Sequence, residues 1–301
     1  MYGPSDEAES IATIHAAIDA GINLIDTGDF YGMGHNEMLI GRALEGRRDK
    51  VLLSVKFGAM RTPAGAFIGF DGRPAAVKNF AAYSLQRLKT DHIDIYRPSR
   101  LERNVPIEDT LGAIGELIKA GYVRFAGLSE VGAATMRRAQ AAHPISDLQI
   151  EYSLVSRGIE REILPAAREL GVGITAYGVL SRGLLTGSKP AAKGDFRTHL
   201  PRFSGDNLDR NQPLVQALAG LAARKGATPV QVAIAWVLAK GGDIIPVIGA
   251  RTRRQLDDAL GALQVALGDQ EMAALEQALD PEKVAGTRYD AAQMGMLDSE
   301  R

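Results

Sequence analysis

Three ionisable residues of complementary chemistry lie close together near the start of the sequence. One apolar run, Leu24-Ile25, ends in Asp26, and another, Val51-Leu52-Leu53-Ser54-Val55, ends in Lys56; Tyr31 sits in the loop Thr27-Gly28-Asp29-Phe30-Tyr31-Gly32 after the first. If the two runs are neighbouring parallel strands, all three groups project from the same end of one sheet. A free phenol has a pKa near ~10, too high to exchange protons readily near neutrality. An adjacent ammonium stabilises the phenolate, and a carboxylate keeps that ammonium charged and aimed. The trio is therefore suited to donating a proton at neutral pH. An isolated triple of this kind also describes a surface tyrosine beside an ordinary Asp–Lys pair, so the surrounding elements must decide.

Those elements follow a repeating phrase. Asp6 and Glu9 stand at the capping spacing, Ile11, Ile14 and Ile18 fall on one helical face, and Gly21 closes that helix. A strand over 22–25 follows at once. Further strands are predicted at 51–55, 93–96, 123–128, 148–150, 172–177 and 244–248. Helices are predicted at 74–88, 107–120, 133–142, 160–170, 229–240 and 252–263. Apolar strands alternating with helices predict a parallel sheet covered on both faces. This makes seven strand–helix units preceded by a helix, whereas a closed (β/α)8 barrel has eight. An open doubly wound sheet would carry a G-x-G-x-x-G turn after an early strand, and none occurs. The expected fold is a TIM (β/α)8-type barrel, one domain over 1–301, whose first strand is missing and belongs N-terminal to Met1. The connection 178–210 is long, glycine- and proline-rich, and leaves the strand end where barrel sites lie, as a lid or a disordered loop would. The stretch 280–301 reads as a tail or a cover over the barrel mouth.

Composition removes several classes. With 35 basic and 36 acidic residues, net charge −1 and no long run of one sign, nothing marks a nucleic-acid or anionic-membrane partner. The cysteine count is 0, excluding disulfides, thiolate zinc sites and cysteine nucleophiles and fitting a reducing compartment. No apolar stretch is long enough to span a bilayer and residues 1–20 lack a signal-peptide pattern, so a cytoplasmic protein is expected. His15, His92, His143 and His199 have no metal-like spacing, and no metal is assigned. His35 suits a substrate pocket or a helix start equally.

With the trio placed on successive strand ends, the sequence resembles the aldo-keto reductase superfamily over nearly its whole length. Leu24-Ile25-Asp26-Thr27-Gly28-Asp29-Phe30-Tyr31-Gly32 resembles the D-T-A-x-x-Y-G stretch of that family, and Ser54-Val55-Lys56-Phe57-Gly58 its lysine strand. Gly127-Leu128-Ser129, Leu148-Gln149-Ile150-Glu151-Tyr152-Ser153 and Ala176-Tyr177-Gly178-Val179-Leu180-Ser181-Arg182-Gly183 fall where the family places nicotinamide contacts. Ile245-Pro246-Val247-Ile248-Gly249-Ala250-Arg251, followed by Gln255, resembles its adenosine-phosphate segment. The resemblance implies hydride transfer between NADPH and a small aldehyde or ketone without a metal. Tyr31 is then the general acid/base, tuned by Lys56 and Asp26. Ser129 and Gln149 would hold the carboxamide, Tyr177 would stack on the nicotinamide, and Gly178, Leu180, Arg182, Gly183, Gly249, Arg251 and Gln255 would contact the rest of the cofactor.

Arg251, Arg253 and Arg254 crowd a helix start, which is unfavourable without an anion and points to a 2′-phosphate, hence NADP over NAD. Departures from the family pattern are Ser99 where the usual catalytic histidine stands, Ala259 for a common asparagine, Gly178-Val179 for Ser-Pro, and the missing first strand. Two other readings stay open. One is a reductase-like, nucleotide-binding regulatory protein; the other, from Gly249 to Arg251 alone, is a phosphate-binding isomerase or lyase. Oligomeric state is unknown from sequence.

Overall fold

The computed structural model describes residues 6–190 and 195–300. The described chain forms two compact units, one comprising Glu7–Gln149, Glu162–Gly173 and 296–300, the other Ile150–Arg161 and Ile174–Gly295.

The N-terminal unit opens with α1 (Glu7–Asp19) and continues through β1 (Leu24–Gly28), α2 (His35–Ala43) and β2 (Leu52–Phe57). A two-stranded antiparallel hairpin follows, β3 (Ala59–Arg61) with β4 (Phe67–Phe70), which the sequence reading missed. Its strands are short and half exposed and carry no clear alternation. Then come α3 (Pro74–Leu88), β5 (Ile93–Pro98), α4 (Ile107–Lys119), β6 (Val123–Ser129), α5 (Ala133–Ala142) and β7 (Ile145–Glu151), whose last two residues belong to the other unit. α6 (Ile163–Leu170) also packs here, against α5. The order β1-β2-β5-β6-β7 is parallel throughout.

Register places the site. Asp26 pairs with Ser54, Gly28 with Lys56, Lys56 with Arg97, Gly127 with Asp147 and Ser129 with Gln149. Register partners in parallel strands point to the same side, so these residues share one face. The opposite face is apolar and meets the helices: Phe57 stacks on Tyr96 at 4.3 Å and lies 6.2 Å from Phe80 of α3, while Tyr96 Oη donates to Val77 O. Burying that face against α3 and α4 is stabilising, since a fully buried Val, Leu or Phe is worth about 1.5–3 kcal/mol. At the opposite strand ends the fully buried Asp94 accepts from Arg48 (2.7 Å), Arg124 (2.8 Å) and Leu53 N (2.8 Å). Burial alone would raise its carboxyl; those donors hold it below the usual range.

The second unit contains β8 (Gly173–Tyr177) beside β9 (Ile244–Pro246), also parallel. Its helices include α7 (Asn207–Arg210), α8 (Gln212–Arg224), α9 (Pro229–Ala239), α10 (Arg253–Leu260) and α11 (Asp269–Ala278). Seven parallel strands are thus present among the described residues, the number counted from sequence. The long connection 178–210 is largely packed, with short 3-10 turns at Ser181–Thr186, Phe196–His199 and Pro201–Phe203 around buried Leu184, Leu200 and Phe203. Residues 191–194 of that stretch lie outside the described residues. No described helix is long and apolar enough to cross a membrane.

Candidate active site

Asp26 and Lys56 form a buried ion pair, Nζ to Oδ2 2.5 Å, with side-chain exposures of 10% and 5%. The Lys56 ammonium lies 5.2 Å from the centre of the Tyr31 ring. Asp26 Oδ1 accepts from Ser54 Oγ (2.8 Å) and from Gln149 Nε2 (2.8 Å). Burial by itself would raise the Asp26 carboxyl; the charges of Lys56 and Arg97 and these hydrogen bonds overcome it and hold the group below the carboxylate range. The Asp26 carboxylate is thus ionised, and the Lys56 nitrogen that it accepts from lies beside the phenol ring.

Tyr31 is carried on a loop of unusual backbone. Gly32, Met33 and Gly34 have φ of 58, 54 and 93°. Such a left-handed run persists only where surrounding contacts over-determine it. Asp29 provides one clamp: its N donates to Lys56 O (2.9 Å) and its Oδ2 accepts from Gly58 N (3.2 Å). Thr27 Oγ1 provides another, donating to Asn36 Oδ1 (2.7 Å). The Phe30 ring meets Tyr31 edge-on at 4.8 Å.

Desolvation pushes the Asp29 carboxyl up to about 7, helped by Glu37 and opposed by the Gly58 N–H and Arg87. A folded-state value above the unfolded one means the folded state holds the extra proton. Stability from this group is therefore present at low pH and declines as pH rises from about 4 to about 7. Asp29→Asn is expected to flatten the pH dependence of unfolding free energy in that window, measured by urea titrations at several pH values; identical slopes in both proteins would reject it.

Ser99, expected from the resemblance to stand at the histidine position, is 2% exposed, its N donates to Phe57 O (2.8 Å), and its Oγ has no hydrogen-bond partner. Its side chain is therefore buried rather than solvated. Ser129 Oγ is likewise buried and without a partner. Gln149, expected at a carboxamide, has its Nε2 on Asp26, which ties it to the Asp26–Lys56 pair.

The remaining predicted residues lie in the second unit. Tyr177 ends β8 half-buried, its Oη 3.1 Å from that of Tyr289. Gly178 has φ +67°, and a Cβ there would meet Glu151 Cγ at 3.0 Å. Leu180 precedes a left-handed run, Ser181, Arg182 and Gly183 at 47, 56 and 92°. Arg182 is locked there, 3.1 Å from the buried Glu151 and 4.4 Å over the Tyr289 ring. Arg202 and Arg288 also face Glu151, at 3.5 and 3.6 Å. Gly249, Arg251 and Gln255 are exposed; Arg251 N donates to Gln255 Oε1 (2.8 Å), and Thr252 Oγ1 caps α10 by accepting from Gln255 N.

Sequence reasoning missed Ser54, Arg97 and Asp147 in the first unit and Glu151, Arg202 and Arg288 in the second. A signal existed for the first three. Ser54 and Asp147 each stand two residues before a predicted site residue on the same strand, where period two puts both on one face, and Arg97 stands two before Ser99, which follows the end of β5.

Parallel strand–helix units thus carry a buried Asp26–Lys56 pair beside the Tyr31 ring at the strand ends. The Aldo/keto reductase family model matches residues 1–280, and the chain belongs to that family. It is 39% identical over 291 residues to a soybean (Glycine max) protein described as probable aldo-keto reductase 1, covering 95% of this chain and 84% of the relative. A glycerol dehydrogenase from Gluconobacter oxydans matches with TM-score 0.85 at 31% identity, over 93% of this chain and 88% of that one. A Klebsiella pneumoniae aldo/keto reductase solved with NADP and acetate matches with TM-score 0.73 at 26% identity, over 94% and 89%. The fold is thus the (β/α)8-type barrel of these enzymes, with no strand before α1 among the described residues.

Proposed function

We propose that the protein is an NADP(H)-dependent reductase of small aldehydes or ketones, with Tyr31 as proton donor. The observation that carries this is the buried Asp26–Lys56 pair set against the Tyr31 ring. NADPH supplies the hydride. Charge developing on the carbonyl oxygen is hydrogen-bonded and then protonated by Tyr31 Oη, and the resulting tyrosinate is stabilised by Lys56, whose charge and direction Asp26 maintains.

The residues suit a dinucleotide. The partnerless Ser129 hydroxyl, in the first unit, is a donor for a carboxamide, assisted by Gln149. In the second unit Gly178 and Gly183 admit no side chain without strain, and Leu180 and Arg182 flank them beside Tyr177. Gly249, Arg251 and Gln255 would take the adenosine phosphate, which favours NADP over NAD. The cysteine count of 0 fits a reducing, cytoplasmic setting.

The test is NADPH oxidation by the pure protein with a panel of aldehydes, including pyridoxal-like and sugar-derived carbonyls. Turnover with at least one supports the reading. Tight nucleotide binding with no turnover on any would favour the regulatory alternative, and no binding of either nicotinamide nucleotide would overturn both.

Ser99 stands in the orienting position with a short, neutral hydroxyl. Ser99→Ala is expected to lower kcat/KM on simple aldehydes by about tenfold or more, since loss of one oxyanion donor costs on the order of 10²-fold in strong cases. Ser99→His should also change turnover. Steady-state kinetics unchanged in both variants would remove Ser99 from the mechanism.

A further inference from the structure

Arg97 is fully buried and sits in register with Lys56 on the polar face of the sheet. Its Nη2 reaches Ser54 Oγ at 3.0 Å and Asp147 Oδ2 at 2.9 Å. Ser54 Oγ also contacts Asp26 Oδ1 at 2.8 Å. These contacts fix a direction. A guanidinium only donates and an ionised carboxylate only accepts, so the single hydroxyl proton of Ser54 must go to Asp26 while its oxygen accepts from Arg97. Hydrogen bonds aligned in this way polarise one another and strengthen.

The arrangement is built in by the backbone. A Cβ on Gly127 would lie 2.6 Å from Asp147 Oδ1 and 3.1 Å from Arg97 Nε, so a side chain there would displace the pair. The guanidinium is also kept at a cost: Arg97 Nε and Nη1 have no hydrogen-bond partner. Buried ion pairs can often be replaced by apolar residues with no loss of stability, which leaves packing alone a poor account of this one.

We propose that Arg97 is a positioning residue of the reaction: through Ser54 and against Asp147 it keeps Asp26 ionised and turned toward Lys56. This rests on the reductase reading for its catalytic consequence but not for its electrostatic one. The charged or titratable groups around Asp26 are Tyr31 on its own loop, Lys56 on β2, Arg97 on β5 and, behind Arg97, Asp147 on β7; β6 contributes Gly127 and Ser129, and β7 also the neutral Gln149. Asp29, Glu37 and Arg87 form a separate acid–base group around the Tyr31 loop. The direction of the Asp26 shift agrees, with Lys56 and then Arg97 overcoming desolvation.

The test is carboxyl NMR titration of Asp26 in the free protein, alongside the pH profile of kcat. Arg97→Gln is expected to raise the Asp26 midpoint, and with it the acid limb of kcat, by about one pH unit or more, a tenfold change in ionisation. Arg97→Lys should restore part of the shift. Asp147→Asn should move both in the opposite direction, since Arg97 is then less compensated. A merely structural role predicts no such opposite pair. Should Arg97→Gln fail to fold, Asp147→Asn and Gly127→Ala carry the test, the latter expected to raise the midpoint by displacing the guanidinium. An Asp26 titration unmoved in the folded variants overturns the inference. Shifted titrations in a protein that turns over no carbonyl would uphold the control of Asp26 by Arg97 and sink the reductase reading, and with it the catalytic consequence.

Discussion

Tyr31→Phe is expected to lower kcat for NADPH-dependent aldehyde reduction by about 10²–10⁴-fold, the usual contribution of a positioned general acid. The loss should fall on kcat and leave nucleotide affinity, followed by NADPH fluorescence, unchanged. Physical grounds for a clean effect lie around the ring. Phe30 packs edge-on against it, and the loop is held by Asp29 on Lys56 O and Gly58 N, none of which uses the phenol oxygen. Phenylalanine can therefore occupy the same place while lacking the proton. Wild-type turnover that survives this substitution would assign the proton to another group and remove the central claim of the mechanism.

Asp26→Asn should have the second largest effect, and on two quantities. Lys56 has only 5% of its side chain exposed, so removing its counter-charge leaves a buried ammonium uncompensated. Breaking such a pair from one side typically costs about 3–5 kcal/mol. The alternative open to the protein is to lose the lysine proton, since burial drives an unpaired lysine toward its neutral form. That relieves the destabilisation but deprives the tyrosinate of its cation. Urea unfolding should show reduced stability, and kcat should fall with it.

The double variant Asp26→Asn, Lys56→Met separates the two consequences. Stability should largely return, because no charge remains buried, while activity should not. A double variant that recovered activity as well would show that the pair serves only the fold. Because the Asp26 carboxyl is held below its ordinary value, its stabilising contribution is present above the unfolded pKa and lost as the pH falls through the folded one. The Asp29 dependence runs the other way and at higher pH, so the two can be resolved in one series of titrations.

Much of this was legible in the residues themselves. Strand and helix alternation, the count of seven strands, and the convergence of Asp26, Tyr31 and Lys56 follow from local periodicity and from the rule that parallel strand ends share one edge of a sheet. The crowding of Arg251, Arg253 and Arg254 at the start of α10 was visible too, because a cluster of arginines at a helix start is itself a physical anomaly. Strand ends were less legible. β7 runs from Ile145 where only 148–150 was expected, since Ser146 and Asp147 are polar yet point into a buried network.

Other features depended on tertiary contact. From the sequence Ser99 is as much a solvated loop serine as a site residue, and only the packing after β5 shows it to be buried. Arg97 reads as a strand interruption; its partners Ser54 and Asp147 come from two other strands, and only register brings them within reach. Arg182 is likewise tied to Glu151 across the turn that follows β8. The sequence by itself determined the class of element and which ionisable residue types meet at the strand ends, because both depend on residues close together along the chain. Tertiary structure alone decided which charges are buried and paired, because desolvation and Coulomb energies depend on distances between strands that no local pattern records.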